Sequence, residues 1–126
     1  MRSLSLQDAI DLLTAATIVI VHNDPSIAQG LANDLQAHSA RVIVAENALE
    51  LRPLLLRHEA QVAVLDLDLV NVEEVRQLAG SFCNLTIICT HPAPDDRMWV
   101  AALDAGAVEF CHPDDIRTML RGQVAV

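Results

Sequence analysis

Five short apolar runs divide the chain, at Thr17–Val21, Arg41–Ala45 and residues 62–65, 86–89 and 108–111. Each is rich in Val or Ile and lacks a polar residue at every second position, the pattern of a strand covered on both faces. The stretches between them carry helical spacing instead. Ile27, Leu31 and Leu35 mark the first helix, Leu51, Leu54 and Leu55 the second, and Val72, Val75 and Leu78 the third. Trp99, Ala102 and Leu103 mark a fourth over 94–105, and Ile116, Met119 and Leu120 a fifth. The clearest strand-to-helix switch is Asn23-Asp24-Pro25-Ser26, which supplies an N-cap and a proline suited to a first helical turn. Pro92, Pro94 and Pro113 punctuate the later switches in the same way.

Strands alternating with helices of this length predict a parallel sheet with right-handed crossovers and helices on both faces. The fold class is therefore α/β, a doubly wound three-layer sandwich. Five units of this kind fit the flavodoxin-like strand order 2-1-3-4-5, whose crevice opens at the carboxyl ends of strands 1 and 3. Residues 17–126 form that domain in this reading. Residues 1–16 precede it as an extension, with Leu6, Ile10 and Leu13 at helical spacing, read as a short extra helix or half of a self-association surface. No internal repeat, low-complexity tract or interdomain linker is visible.

Composition narrows the function classes. A chain of 126 residues accommodates one domain with one core, and a 52% hydrophobic share with only 2% aromatics makes that core aliphatic. Seventeen acidic against eight basic side chains give a net charge of −9, which opposes direct contact with nucleic acid. No apolar run approaches the roughly 18 residues of a membrane span, and Gln7, Asp8 and Asp11 interrupt the N-terminal apolar residues, unlike a signal peptide. The expected location is cytoplasmic. Cys83, Cys89 and Cys111 are odd in number and lack CxxC spacing, so they read as reduced, mostly buried thiols.

The predicted strands place His22, Asn23 and Asp24 after strand 1, Asp66 to Asp68 after strand 3, Thr90 and His91 after strand 4, and His112 after strand 5, all on one rim. With those residues in that order, the sequence from Thr17 to about Arg121 resembles the receiver domains of bacterial two-component response regulators. Residues 18–25 (IVIVHNDP) are similar to the receiver's first strand and acidic turn, and 62–67 (VAVLDL) to its phosphoacceptor strand. Residues 87–90 (IICT) are similar to the strand ending in the switch Thr or Ser, and 105–113 (AGAVEFCHP) to the Gly-Ala, aromatic and Lys-Pro stretch.

The resemblance implies a CheY-like fold with Asp66 as phosphoacceptor, Thr90 as the hydroxyl that bonds the phosphoryl group, and Phe110 as the aromatic switch. It also exposes departures. The acidic-pair positions hold His22 and Asn23, and the lysine position falls at His112. Val70 stands where many receivers have proline, and the short connection from Asp66 to Thr90 implies a trimmed third helix. Mg²⁺ prefers carboxylate and water oxygens in octahedral array, so exchanging two acids for His22 and Asn23 weakens a site that would otherwise use Asp66, Asn23 and Asp24. Asp66 can instead sit between His22 and His112 as an unphosphorylated ion-pair centre.

Other readings compete for the same residues. His22, His91 and His112 beside Asp66 form an imidazole and carboxylate set suited to zinc or nickel, although no HxH or HxxxH pair supports a preformed site. The same histidines, one protonation away from charge near neutrality, suit a pH switch. Asp66 and Asp68 read as a DxD pair, or Asp68 as a solvated loop acid or helix N-cap. Cys89 and Cys111, on neighbouring strands, read as a redox pair or as buried apolar residues. Trp99 reads as an interface anchor or as packing on the sheet.

The leading expectation is an atypical receiver that is not an enzyme and signals by contact with a protein partner, a histidine kinase or an output protein, with weak or absent phosphorylation. A homodimer through the fourth helix and fifth strand belongs to the same expectation. The alternatives are a receiver phosphorylated on Asp66 by a histidine kinase, and a small-molecule, metal or pH-sensing module using the strand-end crevice.

Overall fold

The computed structural model of the chain describes residues 11–124. The elements are β1 (Thr17–Val21), α1 (Pro25–Gln36), β2 (Arg41–Ala45), a 3₁₀ turn (Ala48–Glu50), α2 (Leu51–Arg57), β3 (Val62–Asp66), α3 (Val72–Ser81), β4 (Thr86–Thr90), α4 (Asp96–Ala105), β5 (Glu109–Cys111) and α5 (Pro113–Val124). All strand pairs are parallel, in the order β2-β1-β3-β4-β5. This is the doubly wound sandwich that the alternating pattern predicts.

The sheet separates two cores because alternate strand residues point to opposite faces. Val19, Val21, Ala63, Leu65, Ile87, Cys89 and Phe110 pack against Leu51 and Leu55 of α2, Val75 and Leu78 of α3, and Ala102 and Ala105 of α4. Ile18, Ile20, Val62, Val64 and Ile88 pack against Ala28, Leu31, Ala32 and Leu35 of α1, and Ile116 and Leu120 of α5. Leu13 joins this second core and is fully buried. Residues 11–13 are helical; most of the predicted 1–16 extension lies outside the described residues.

Polar capping sets the helix starts. Asp24, Asn71 and Asp95 each accept a backbone N–H of the first turn of α1, α3 and α4, and Pro25 follows Asp24 at the first helical position. The helix ends carried fewer signals in sequence, because the left-handed residues after α1 and α2 are Ser39 (φ 67°) and Glu59 (φ 50°) rather than glycine. Among the described residues, only after α4 does glycine take that role. Gly106 has φ 121°, and a Cβ there would lie 2.6 Å from the Ala79 side chain.

The expectation of a trimmed third helix is corrected. α3 runs ten residues, and the short helix is α2 at seven, preceded by the 3₁₀ turn. The chain saves length between Asp66 and Thr90 in its loops: the turn after β3 closes at once through Leu69 and Val70 N–H to the Asp66 carbonyl at 2.9 and 3.0 Å.

Candidate functional site

The carboxyl ends of β1, β3, β4 and β5 line up in one row. Register pairs Val21 with Leu65, Asp66 with Thr90, and Thr90 with Cys111. One step past Val21 puts His22 beside Asp66, so His22, Asp66, Thr90 and Cys111 follow one another on the side of the sheet covered by α1 and α5.

Asp66 is 1% exposed. Its Oδ2 accepts the Asn23 N–H at 3.0 Å and its Oδ1 accepts the Asp68 N–H at 2.9 Å. A buried carboxylate requires such compensation, and here two loops supply it through backbone donors. Thr90 is fully buried next to it, and its hydroxyl has no hydrogen-bond partner among the described residues.

His22 has a side chain only 5% exposed, with Nδ1 3.7 Å from Asp66 Oδ2. That nitrogen also accepts the Asp24 N–H at 3.0 Å. An accepting Nδ1 assigns the ring proton to Nε2, a buried donor with no partner among the described residues.

The other two rim histidines repeat the arrangement. His91 Nδ1 accepts the Ala93 N–H and His112 Nδ1 accepts the Asp114 N–H, both at 3.0 Å. All three imidazoles thus hold the turn that leaves a strand, each receiving the N–H two residues on. His91 Nε2 then donates to Asp68 Oδ1 at 2.9 Å, linking the β3 and β4 loops. Sequence reading missed this link. The signal for the turn role was a histidine just past each strand with a proline one to three residues later.

Several expectations are corrected at this point. His112 does not face Asp66: its N–H donates to Asp115 Oδ2 at 3.1 Å, and its ring lies 3.8 Å from Asp114 Oδ2. Among the described residues no hydrogen bond or ion pair joins it to Asp66, so the ion-pair centre between two histidines does not form. Cys111 takes the place in the row, because β5 pairs it with Thr90 and alternation turns His112 away. Asp68 is not a helix N-cap; it is the partly exposed partner of His91, and Asn71 caps α3.

The cysteines do not form a redox pair. Cys89 is in register with Phe110 and Cys111 with Thr90, which places the two thiols on opposite faces of the sheet. Burial raises both thiols from 9.0 to about 12, with the Glu109 and Asp115 charges adding to the effect at Cys111. The mostly buried reading fails for Cys83, which is exposed.

Nor do the residues fit a resident cation. Among the described residues no group of three or more His, Cys, Asp or Glu side chains could hold a metal. Of the expected donors Asp66, Asn23 and Asp24, Asp66 already accepts two N–H groups and Asp24 Oδ1 caps α1 through the Ser26 N–H at 2.9 Å. Where Mg²⁺ would want further carboxylate oxygens, His22 offers a nitrogen committed to Asp24. The transition-metal set fails as well, because each rim histidine spends Nδ1 on its own turn, and His91 spends Nε2 on Asp68.

Beside the row, Phe110 is 4% exposed and lines a cleft of about 340 Å³ with Pro94, Asp95, Asp96 and Trp99. Trp99 is half-buried against the α2–α4 core, so it packs on the fold while presenting part of its ring to the cleft.

No family model matches the sequence, and no characterised protein matches it by sequence. The architecture matches solved receiver domains. The BeF3-activated N-terminal receiver domain of Klebsiella pneumoniae RstA is 22% identical, with a TM-score of 0.71 over 83% of this chain and 98% of that one. HP1043, an orphan response regulator of H. pylori, is 12% identical, with a TM-score of 0.76 over 89% of this chain and 96% of that one. A CheY-like receiver domain protein from Methanospirillum hungatei is 19% identical, with a TM-score of 0.71 over 87% of this chain and 94% of that one. The chain therefore has the CheY-like receiver fold.

Proposed function

We propose that this chain is an atypical receiver that signals through protein contact, with slow or absent phosphorylation and no catalytic turnover of its own. The observation that carries the reading is the state of Asp66: both carboxylate oxygens accept backbone N–H groups, and the side chain 3.7 Å from Oδ2 is the His22 imidazole where a second acid would be expected. A phosphoryl group transferred to an aspartate adds negative charge, and a divalent ion normally offsets it. Here the donor set for such an ion is missing.

The partner in this reading is a protein, a histidine kinase or an output protein, met at α4 and β5 through the cleft where Trp99 and Phe110 meet. Aromatic side chains in such a cleft supply contact area at low entropic cost. A homodimer through α4 and β5 would use the same surface. Among the described residues no helix is long and apolar enough to cross a membrane, consistent with the proposed cytoplasmic setting.

One observation favours a second reading, in which Asp66 does accept phosphate. The buried Thr90 hydroxyl has no partner among the described residues and is in register with Asp66, which supports a role in bonding an added oxygen. Intact mass after incubation with a small acyl phosphate and Mg²⁺ separates the two readings. No change in mass is the expected result. A gain of one phosphoryl group that disappears in Asp66→Asn overturns the primary reading in favour of the second.

A further inference from the structure

We infer that the open edge of the sheet at β2 is a homodimer interface, where two copies of this chain pair antiparallel along β2 about a two-fold axis through Ile43. The inference is independent of what happens at Asp66, since it concerns the far edge of the sheet from α4 and β5.

The edge is available. β2 is the last strand in the order β2-β1-β3-β4-β5, and β1 is its neighbour on one side only. Arg41 N–H donates to Ala16 O at 2.8 Å, so Arg41 points its backbone groups at β1. Strict alternation along the strand then turns the N–H and C=O of Val42 and Val44 outward. An edge left with such unpaired groups is a template for another strand unless charge, proline or a covering element blocks it. Among the described residues neither proline nor a covering element blocks the Arg41–Ala45 segment; its one charge, Arg41, stands at the first position, its interior is Val-Ile-Val and Val44 is 39% exposed.

The outward groups also fix the register. A hydrogen-bonded antiparallel pair needs outward-pointing residues opposite each other. Setting Val42 of one copy against Val44 of the other satisfies this twice, once on each side of the axis, and uses all four outward N–H and C=O pairs. Ile43 then meets its own counterpart at the centre, and each Arg41 reaches the far end of the other copy's strand. Arg41 lies opposite Ala45 of the other copy, and just past that residue Glu46 N–H holds Glu50 Oε1 at 2.9 Å, which brings the Glu50 carboxylate back to the strand end, so a cation and a carboxylate approach at both ends of the pair. This charge complement selects a second copy of the chain over an arbitrary peptide, because it requires Arg41 at one end of the strand and the Glu50 carboxylate held at the other.

The flanks add apolar area. A two-fold axis perpendicular to the sheet maps each face onto itself, so α2 of one copy neighbours α2 of the other. The 3₁₀ turn and α2 that follow β2 carry two exposed leucines, Leu49 at 89% and Leu56 at 68%. The net charge of −9 on each copy opposes association, but at physiological ionic strength it is screened beyond about 8 Å, while the contacts at the strand ends are closer than that.

The test is the mass of the full chain by sedimentation, alone and as two variants. Val44→Pro removes an outward N–H that takes no part in the β1 ladder, and Val44→Lys places a charge on the edge. The expected result is a dimer that both variants weaken by at least about tenfold in Kd, with circular dichroism and melting showing the monomer still folded. Trp99→Ala leaves this dimer intact. A chain that stays monomeric at every usable concentration overturns the inference, as does a dimer that survives both Val44 variants or is lost in Trp99→Ala.

Discussion

His22 Nδ1 lies 3.7 Å from Asp66 Oδ2, yet it is the Asp24 N–H, at 3.0 Å, that it bonds. Asp66 Oδ2 in turn takes the Asn23 N–H. The two side chains thus share the same short stretch of backbone, each accepting from one of two consecutive residues at the entrance to α1. Their role is to order the loop between β1 and α1, and the imidazole does so as an acceptor, without needing charge.

Asp66 is then a structural residue as well as a candidate phosphoacceptor. Asp66→Ala strands two N–H donors and is expected to lower the unfolding free energy by about 2–4 kcal/mol, at roughly 1–2 for each charge-assisted bond lost. Asp66→Asn keeps one acceptor and costs less. Urea titrations that give all three proteins the same midpoint would refute the role.

Restoring the acids should restore the ion. The double variant His22→Asp, Asn23→Asp gathers like charges around a buried carboxylate, so its melting temperature falls without metal and recovers in excess Mg²⁺. Adding His112→Lys leaves the Mg²⁺ response unchanged, because that side chain points away from the row. A double variant indifferent to Mg²⁺ would mean that His22 and Asn23 do not occupy the acidic-pair positions.

Legibility followed the physics of each element. β1 and β2 fall at the bounds their Val and Ile runs predict, while β3 and β4 each extend one residue further, to Asp66 and Thr90. The ladder is made by backbone and does not stop at a polar side chain. The rim was readable as a set of residues because strand ends fix position. Which way each side chain points was not: it depends on register between strands distant in sequence, and a single step decides whether Cys111 or His112 stands beside Thr90 in the row. The predicted order 2-1-3-4-5 already leaves β2 at an edge, but which of its residues turn their backbone groups outward was not readable, since that depends on its register with β1.

Alkaline pH should unfold the protein through its buried thiols. Both Cys89 and Cys111 are raised from 9.0 to about 12 in the fold. Below pH 9 both states keep their protons and stability is unaffected. Between 9 and about 12 the unfolded chain releases protons that the folded chain retains, so stability falls with rising pH, by up to about 1.4 kcal/mol per pH unit for each thiol. Cys89→Ala and Cys111→Ala, measured by denaturation at pH 8 and pH 10.5, should each lose part of that decline. In the native state exposed Cys83 alone should react with a thiol reagent.

Arg117 ties α5 to α1 by donating its Nε–H to Asp34 Oδ2 at 2.7 Å, and its guanidinium rests on Gly30. A Cβ at Gly30 would come 2.9 Å from an Arg117 terminal nitrogen, so the flexible end of that side chain would have to move. Gly30→Ala gains up to about 1 kcal/mol of helix propensity in α1 but disturbs the tie. With Arg117→Ala already present nothing is disturbed, and the full gain appears. A double-mutant cycle should therefore show Gly30→Ala stabilising more in the Arg117→Ala background than in the parent chain. Equal effects in both backgrounds would mean that the guanidinium does not rest on Gly30 in solution.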